Sequence, residues 1–436
     1  MNSLFAILIL SSLLLSAWHQ WHWDFSSGEA PLQQLTTATI TAAGDAVQLA
    51  FHLIGTMAFF LGLMKIAEQA GLLRLLARLI RPLMVRLFPE VPAHHPAMGA
   101  MIMNLSANAL GLGNAATPFG IRAMQELDRL NPVPGTATNA MALFLAINTA
   151  SITLMPSTVI ALRAAAGSAD PAAVLPTTLF ASFGATAVAI LVARLLQNWF
   201  PPYPQHPLTP QPPLPQRERG SYEVDSPGAK ELENGNYAPW IGWLAMTVLL
   251  SLIPLSLIYA RQVSPWTLPV VIAAIIMLGL VRRVAIYEAF IEGAKEGFDV
   301  AVRILPYLVA ILSAVAMLRA SGGLEAIVTA LSPWKIPLGL PAEVLPMALL
   351  RPLSGSGAYG LLASLLREPL TGPDSYVGLL ASTLQGSSET TFYVLAVYFG
   401  AVRVQRLRHT LAAALIADLA AVVLSILACQ WHLSLP

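Results

Sequence analysis

Polar side chains gather at two places inside otherwise apolar stretches of the sequence. Residues 148–158 read NTASITLMPST, and residues 385–391 read QGSSETT between two apolar runs. Pro156 removes a helical backbone hydrogen bond and leaves a carbonyl near Ile152 without its donor. At membrane depth, such irregular backbone is tolerated only inside protein or beside a water-filled cavity. Both segments therefore predict broken helices that line a solute site, with these polar members: Asn148, Thr149, Ser151, Gln385, Ser387, Ser388, Glu389 and Thr390.

Glycine-rich turns precede both segments. Residues 111–118 read GLGNAATP, and residues 353–360 read LSGSGAYG. In the first turn, Gly111, Gly113 and Asn114 break one helix, and Thr117 is expected to cap a second helix that has Pro118 as its first residue. Each turn predicts a re-entrant helical hairpin that lines the site. The alternative is that the glycines only allow two helices to pack closely.

Isolated charges accompany these turns. Arg351 follows the charge-free segment LPMALL, and Glu389 has 14 uncharged residues before it and 13 after it. A charge at the bilayer centre costs roughly 2.5–3.5 kcal/mol on insertion scales, so it is usually paired and functional. We expect Arg351 and Glu389 to face each other or a bound solute, and a buried ion pair that locks the hairpin to the helix is the alternative. Asp418 is isolated in the same way, whereas His409 is expected at an exposed loop edge.

The elements that position these residues are long apolar helices. Of the 436 residues, 56% are hydrophobic and 11% are charged, against about 25% charged in soluble domains. Charge-free runs cover residues 130–162, 171–193, 234–260 and 262–281, and about 20 apolar residues suffice to cross a bilayer. The sequence predicts an all-α polytopic membrane protein. Lysine and arginine counts place two segments on the cytoplasmic side, namely residues 65–86, which include an amphipathic helix, and the loop 403–408. The Arg163–Asp170 loop is predicted to lie outside.

Two related halves flank a proline-rich segment. Residues 201–238 are rich in proline and mixed charges and lack apolar periodicity, so they predict a disordered cytoplasmic linker between membrane domains 1–200 and 239–436. Each half has an apolar span, a hairpin and a broken helix in the same order. The charge distribution predicts that the halves are inverted repeats, an architecture of secondary transporters. The alternative is that both halves are merely rich in alanine and leucine.

Several other classes of protein are excluded by composition and motifs. A net charge of +1 gives no basic surface for nucleic acid. The single cysteine rules out a disulfide framework and a cysteine-based metal site. The sequence has no phosphate-binding GxxxxGK[ST] loop and no HExxH, and GSGAYG is not the GxSxG of hydrolases. We therefore expect no enzyme activity, no cofactor and no metal.

The hairpin and broken-helix sequences resemble a known family. NLSANALGLGNAATPFGIRAMQEL, at residues 104–127, resembles the signature of spore maturation protein A. RPLSGSGAYG, at residues 351–360, and LQGSSETTFYVLAVYFGAV, at residues 384–402, resemble those of spore maturation protein B. Both belong to the nucleoside-recognition, or Gate, superfamily. The resemblance implies that the matched polar residues form the site: Asn104, Asn108, Asn114, Thr117, Arg351, Ser354, Ser356, Gln385, Ser388, Glu389 and Thr390.

The resemblance also bears on function. The paired proteins are associated with dehydration of the spore core, and Gate-type domains occur in transporters of nucleosides and other small solutes. We expect a bacterial inner-membrane secondary transporter of a small polar or anionic solute, with a proton or sodium ion as coupling ion and membrane lipid around it; a homo-oligomer is compatible with this. The alternative is a non-transporting envelope scaffold or regulator whose polar clusters only lock helices together.

Overall fold

The described part of the chain is helical. The structure is a computed structural model and describes residues 2–24, 28–200, 260–323, 326 and 339–434. No β-strand occurs among these residues. The predicted linker 201–238 and most of the charge-free run 234–260 lie outside the described residues.

The helices follow the predicted order in each half. The first half contains α1 (Asn2–Trp21), α2 (Pro31–Gln69), α3 (Leu72–Leu87), α4 (Pro96–Ala109), α5 (Gly113–Arg129), α6 (Asn139–Thr149), α7 (Ser157–Ala165), a short 3-10 helix (Pro171–Ala173) and α8 (Val174–Leu196). The second half contains α9 (Ala260–Val281), α10 (Ile286–Ala320), α11 (Leu345–Leu350), α12 (Gly355–Arg367), α13 (Tyr376–Ser387), α14 (Thr391–Ala401) and α15 (Thr410–Ser434).

The prediction of a multi-pass membrane protein is confirmed. Among the described residues, three stretches are long and apolar enough to cross a bilayer: Pro31–Gln69, Pro171–Leu196 and Thr410–Ser434. Shorter apolar helices accompany them, including α6. The amphipathic segment forms α3, which buries Leu73, Ala77 and Met84.

Two hydrophobic cores divide the described residues, and both broken helices cross from one core to the other. The first core contains α6 and α14 together with the hairpin α4–α5. The second core contains α7 and α13 together with α2, α10 and the hairpin helix α12. The interruptions of the two broken helices therefore lie where the cores meet.

The two broken helices run in opposite directions. The loop before α6 meets the loop after α14, since Gln405 N–H donates to the Gly135 carbonyl over 2.8 Å. At the other end, the loop after α7 meets the loop before α13, and Ala169 N–H donates to the Asp374 carboxylate over 2.8 Å. Antiparallel broken helices agree with an inverted repeat, and the inversion of the halves as a whole stays a prediction.

The long helices α2 and α10 also pack in antiparallel fashion, through glycines. A Cβ on Gly293 would lie 2.3 Å from the Leu61 carbonyl oxygen, and one on Gly297 would lie 2.6 Å from the Met57 carbonyl oxygen. Later positions on α10 thus meet earlier positions on α2. Only glycine permits such close approach of the two backbones.

Two predictions about individual residues are wrong. Helix α5 begins at Gly113 rather than at Pro118, so Thr117 is not the N-cap. Gly111, with φ +75°, makes the turn, so that the helix can begin at Gly113. Pro118 lies within the second turn of α5 and removes only one backbone hydrogen bond of that helix. His409 is 1% exposed rather than solvated, because the loop before α15 folds its ring towards that of Phe200.

Candidate functional site

The first broken helix is interrupted where the sequence predicts. Helix α6 ends at Thr149 and α7 begins at Ser157, with Pro156 as its N-cap residue. The intervening carbonyl of Ala150 accepts a hydrogen bond from the hydroxyl of Thr186 on α8. Ser151 is 3% exposed and lies in the same interruption. The Ala150 carbonyl in the break is therefore satisfied by a side chain of the protein.

The tip of the first hairpin lies against this break. Leu154 N–H donates to the Ala109 carbonyl, at the end of α4, over 2.8 Å. A Cβ on Gly111 would lie 2.5 Å from the Met155 carbonyl oxygen. The glycine that turns the hairpin is therefore also needed for its contact with the broken helix.

Buried amides of the first hairpin connect it to both broken helices. Asn108 Nδ2 donates to Asn148 Oδ1 over 2.9 Å. Asn104 Nδ2 donates to the Ala116 carbonyl over 2.8 Å and lies 3.1 Å from the hydroxyl oxygen of Tyr398 on α14. The predicted site residues Asn104, Asn108 and Asn148 are thus brought together around the end of the first hairpin.

Arg351, in the second hairpin, binds the break of the second broken helix. The Arg351 side chain is 8% exposed. Its Nη1 donates to Thr390 Oγ1 over 3.0 Å. Its Nη2 donates to the Gln385 carbonyl over 3.2 Å and also to the Ser388 carbonyl. A guanidinium provides five donors in a fixed plane, and here most of them organise the end of α13 and the start of α14.

The predicted pairing of Arg351 with Glu389 is found, but it is asymmetric. Arg351 Nη2 lies 3.9 Å from Glu389 Oε2, and the Glu389 side chain is 47% exposed. Arg351 is anchored inside the protein by neutral acceptors, whereas Glu389 extends towards the surface of the described structure. The carboxylate is therefore the accessible member of the pair.

The breaks of the two halves are joined to each other. Glu389 N–H donates to the Thr149 carbonyl over 2.8 Å. A Cβ on Gly386 would lie 2.9 Å from Thr178 Cγ2 and 3.2 Å from the Cβ of Pro156. Interrupted backbone, amides, an arginine and a carboxylate from both halves thus form one polar region where the two cores meet.

The remaining predicted site residues surround this region to different extents. Ser354 caps α12 through a 3.0 Å bond from Gly357 N–H, and Ser387 lies 3.3 Å from Ser425. Ser356 is half-buried, and Thr117 lies within the hairpin helix α5. Gly113 and Asn114 begin α5, but their side-chain surroundings lie outside the described residues.

Sequence reasoning left two participants of this region without a role. Asp418 Oδ2 accepts a 2.6 Å hydrogen bond from Thr391 Oγ1, at the first residue of α14. Tyr359 on α12 reaches the Thr158 carbonyl on α7 at 3.4 Å. For Asp418 a signal existed, because no other Asp, Glu, Lys or Arg follows Arg408 in the sequence.

Two cavities lie on the side of the first half, and one of them reaches the polar region. One, of about 290 Å³, is lined mainly by apolar side chains of α3, α4 and α8 and reaches Ser151 and Thr186. The other, of about 300 Å³, lies beside Glu90, Asn139 and Arg408 at the end where loops of both halves meet. Among the described residues, no three His, Cys, Asp or Glu side chains are grouped to hold a metal ion.

Comparison with known proteins agrees with this architecture. The sequence profile of the nucleoside-recognition (Gate) family matches residues 50–197 and 301–404. Spore maturation protein B of Bacillus subtilis (strain 168) is 47% identical over 160 residues, which are 37% of this chain and 89% of that protein. Spore maturation protein A of the same organism is 44% identical over 170 residues, 39% of this chain and 87% of that protein.

A solved structure is also similar in part. The crystal structure of the Alcanivorax borkumensis YdaH transporter, described as having an unusual topology, aligns over 98% of this chain and 97% of that chain. The identity is 17% and the TM-score is 0.39, which is too low a similarity for an inference about function.

The fold and the site define an all-helical, multi-pass membrane protein with two interrupted helices that meet inside it. The chain belongs to the nucleoside-recognition (Gate) family. It is similar to spore maturation proteins A and B, each over about two fifths of its length, in agreement with a fusion of the two.

Proposed function

We propose that this protein is a secondary transporter of a small polar or anionic solute, which binds where the breaks of the two halves meet. The observation that carries the proposal is the direct bond between the breaks, from Glu389 N–H to the Thr149 carbonyl. Secondary transporters place their substrate sites at interrupted helices near the middle of the membrane, at the interface of two repeats.

The charges of this region support an anionic or carbonyl-bearing solute. Arg351 supplies a buried positive charge whose Nε has no partner among the described residues. Glu389, 3.9 Å away and 47% exposed, is positioned to be displaced when a solute anion takes its place beside Arg351. A buried guanidinium is well suited to bind carboxylate or phosphate groups.

The proposal is tested by uptake into proteoliposomes. Purified protein is reconstituted and screened with nucleosides, carboxylates, amino acids and phosphorylated solutes. We expect saturable uptake of one class, and we expect Arg351→Lys to lose it by at least tenfold because the fork of donors is lost while the charge stays. Arg367→Lys is the matched control. Arg367 lies away from the breaks, and its Nη1 is 3.7 Å from Asp45 Oδ2. Normal uptake by Arg351→Lys would show that the solute binds elsewhere.

A second candidate function is a non-transporting scaffold of the bacterial envelope. It is favoured by the bonds that both Nη atoms of Arg351 make to the protein itself. In that case the polar region only locks the helices. Failure of every solute in the screen, with folded protein confirmed, would favour this candidate.

We also propose that the protein lies in the bacterial inner membrane with its arginine-rich end in the cytoplasm. That end contains Arg194, which donates to the Leu87 carbonyl, and Arg408, which donates to the Ala137 carbonyl. Basic segments are retained on the cytoplasmic side. In a Cys429→Ser background, a membrane-impermeant reagent is expected to label Ala169→Cys on intact cells and Gln405→Cys only after permeabilisation. The reverse pattern would contradict this orientation.

A further inference from the structure

Asp418 is a buried carboxylate inside a membrane-spanning helix. It lies about 12 Å along the axis from the first residue of α15, and it is 8% exposed in the structure. Its side chain therefore faces the protein interior and not lipid. An acidic residue in this position is expensive to keep charged, and such residues often mark proton or ion pathways.

The bonds of this carboxylate are few. Oδ2 accepts the 2.6 Å bond from Thr391 Oγ1, and Oδ1 is buried without a partner among the described residues. An ionised carboxylate offers about four acceptor positions, whereas a protonated one needs fewer. Leaving a buried charge with so little hydrogen bonding is unfavourable, so the site is built to take up a proton.

Asp418 is coupled to the proposed solute site by electrostatic interaction and by two adjacent residues of the backbone, Thr390 and Thr391. Arg351 is close enough to interact electrostatically with both Glu389 and Asp418. The adjacent residues Thr390 and Thr391 connect the two sites, the first bonded to Arg351 and the second to Asp418. With all three groups ionised the local charge is negative by one unit, and a proton on Asp418 makes it neutral. Arg351 then has one competing carboxylate fewer.

Other titratable groups lie along α15 and on the helices packed against it. Those on α15, just before it and on the elements packed against it are Arg408, His409, Cys429, His432, Arg194, Tyr376, Tyr393 and Tyr398, besides Arg351 and Glu389, and α6 carries none. Arg194 bonds the Leu87 carbonyl at one end of α8, and Tyr376 reaches the Gly339 carbonyl at the other end of the molecule. Among these groups, Arg351 is the charge that acts on Asp418.

We propose that Asp418 binds the coupling proton, and that protonation increases the affinity of Arg351 for an anionic solute. The step moves one proton from hydronium to the carboxylate, so one O–H bond breaks in hydronium and one forms on Asp418. The coupling rests on the proposed function, whereas the protonation of Asp418 does not. By linkage, a proton that favours the anion is itself bound more tightly when the anion is present.

The protonation is tested without any solute, by infrared titration of the full chain in lipid nanodiscs. We expect the carbonyl-stretch band of one buried carboxylic acid at low pH, lost as the pH rises. Asp418→Asn should remove this band, and Glu389→Gln should retain it, because the band belongs to Asp418. Thr391→Val should raise the midpoint, because the hydrogen bond to the ionised form is lost.

If Asp418→Asn fails to fold, Asp418→Glu serves instead and should shift the band rather than remove it. An unchanged band in folded Asp418→Asn, or loss of the band on adding sodium at constant pH, would overturn the assignment.

Once a solute is found, its affinity should fall up to tenfold per pH unit above the midpoint in the wild type and stay level in Asp418→Asn. A pH dependence that persists in Asp418→Asn would overturn the coupling. A titrating band together with a failed solute screen would overturn the transport proposal and support the proton site.

Discussion

Replacing Arg351 by glutamine should destabilise the protein far more than replacing Glu389 by glutamine, although the two residues form an ion pair. Without its guanidinium, the hydroxyl of Thr390 and two backbone carbonyls at the second break lose their donors. Each buried acceptor left without a donor costs about 1–3 kcal/mol, so the loss of three donors should cost several kcal/mol. Glu389 is 47% exposed and 3.9 Å from its partner, so losing its charge costs about 0–1 kcal/mol.

The measurement is the free energy of unfolding of four proteins in mixed micelles, followed by the loss of helical circular dichroism. These are the wild type, the two single variants and the double variant. Because Arg351 acts mainly through neutral acceptors, the single effects should add, with a coupling energy below about 1 kcal/mol. Arg367→Gln is the control and should change stability by less than about 1 kcal/mol, since its ion pair with Asp45 is partly exposed.

Two results would refute this reasoning. One is a Glu389→Gln variant that is as unstable as Arg351→Gln, and the other is a double variant that is as stable as the wild type. Either result would mean that the two charges mainly neutralise each other, and that Arg351 does not anchor the second break.

Three further outcomes are expected. Gly111→Ala should destabilise the protein more than Gly135→Ala. Both glycines have positive φ, but only the Cβ added at Gly111 would lie 2.5 Å from a backbone carbonyl oxygen. Thermal unfolding of the two variants measures the difference. Arg163→Met should cost several kcal/mol, because this arginine is 1% exposed and donates to carbonyls of both halves, and each buried acceptor left without a donor costs about 1–3 kcal/mol. Asp374→Asn should cost less, since its side chain is 47% exposed. Denaturation in mixed micelles compares the two variants. Burial and a neighbouring arginine lower the pKa of His409 to about 4, so stability should fall as the pH drops from about 6.5 towards 4, and His409→Gln should lose less stability over this range when melting temperatures are compared; equal losses would contradict the assignment.

The features that sequence predicts best are those in which residue type and local structure coincide. Pro156 and the run of polar residues from Gln385 to Thr391 locate both breaks, because few sequences place so many hydrogen-bonding groups between apolar runs. The isolation of Arg351 and Glu389 likewise indicates their pairing. In each case a strong physical cost at membrane depth leaves a visible mark on the sequence.

Other features leave no such mark. The bond between Glu389 N–H and the Thr149 carbonyl uses backbone groups that every residue has. Arg163 resembles an ordinary loop residue beside Asp170, and only the meeting of two distant loops buries it. The start of α5 was mispredicted because Thr117 and Pro118 form a good cap sequence, while the positive φ of Gly111 is decided by its contact with the first break.

The glycine-mediated contact of α2 and α10 has a consequence for how the protein responds to membrane thickness. The 39 residues of α2 form a rod about 58 Å long, and the 35 residues of α10 one of about 52 Å, whereas the hydrocarbon layer is about 30 Å thick. Neither rod fits upright, so each must lean or project into the headgroup layers. Because their backbones touch at Gly293 and Gly297, the two helices must tilt together. Lipids with shorter chains should increase the tilt of both helices and change the depth at which the two interrupted helices meet.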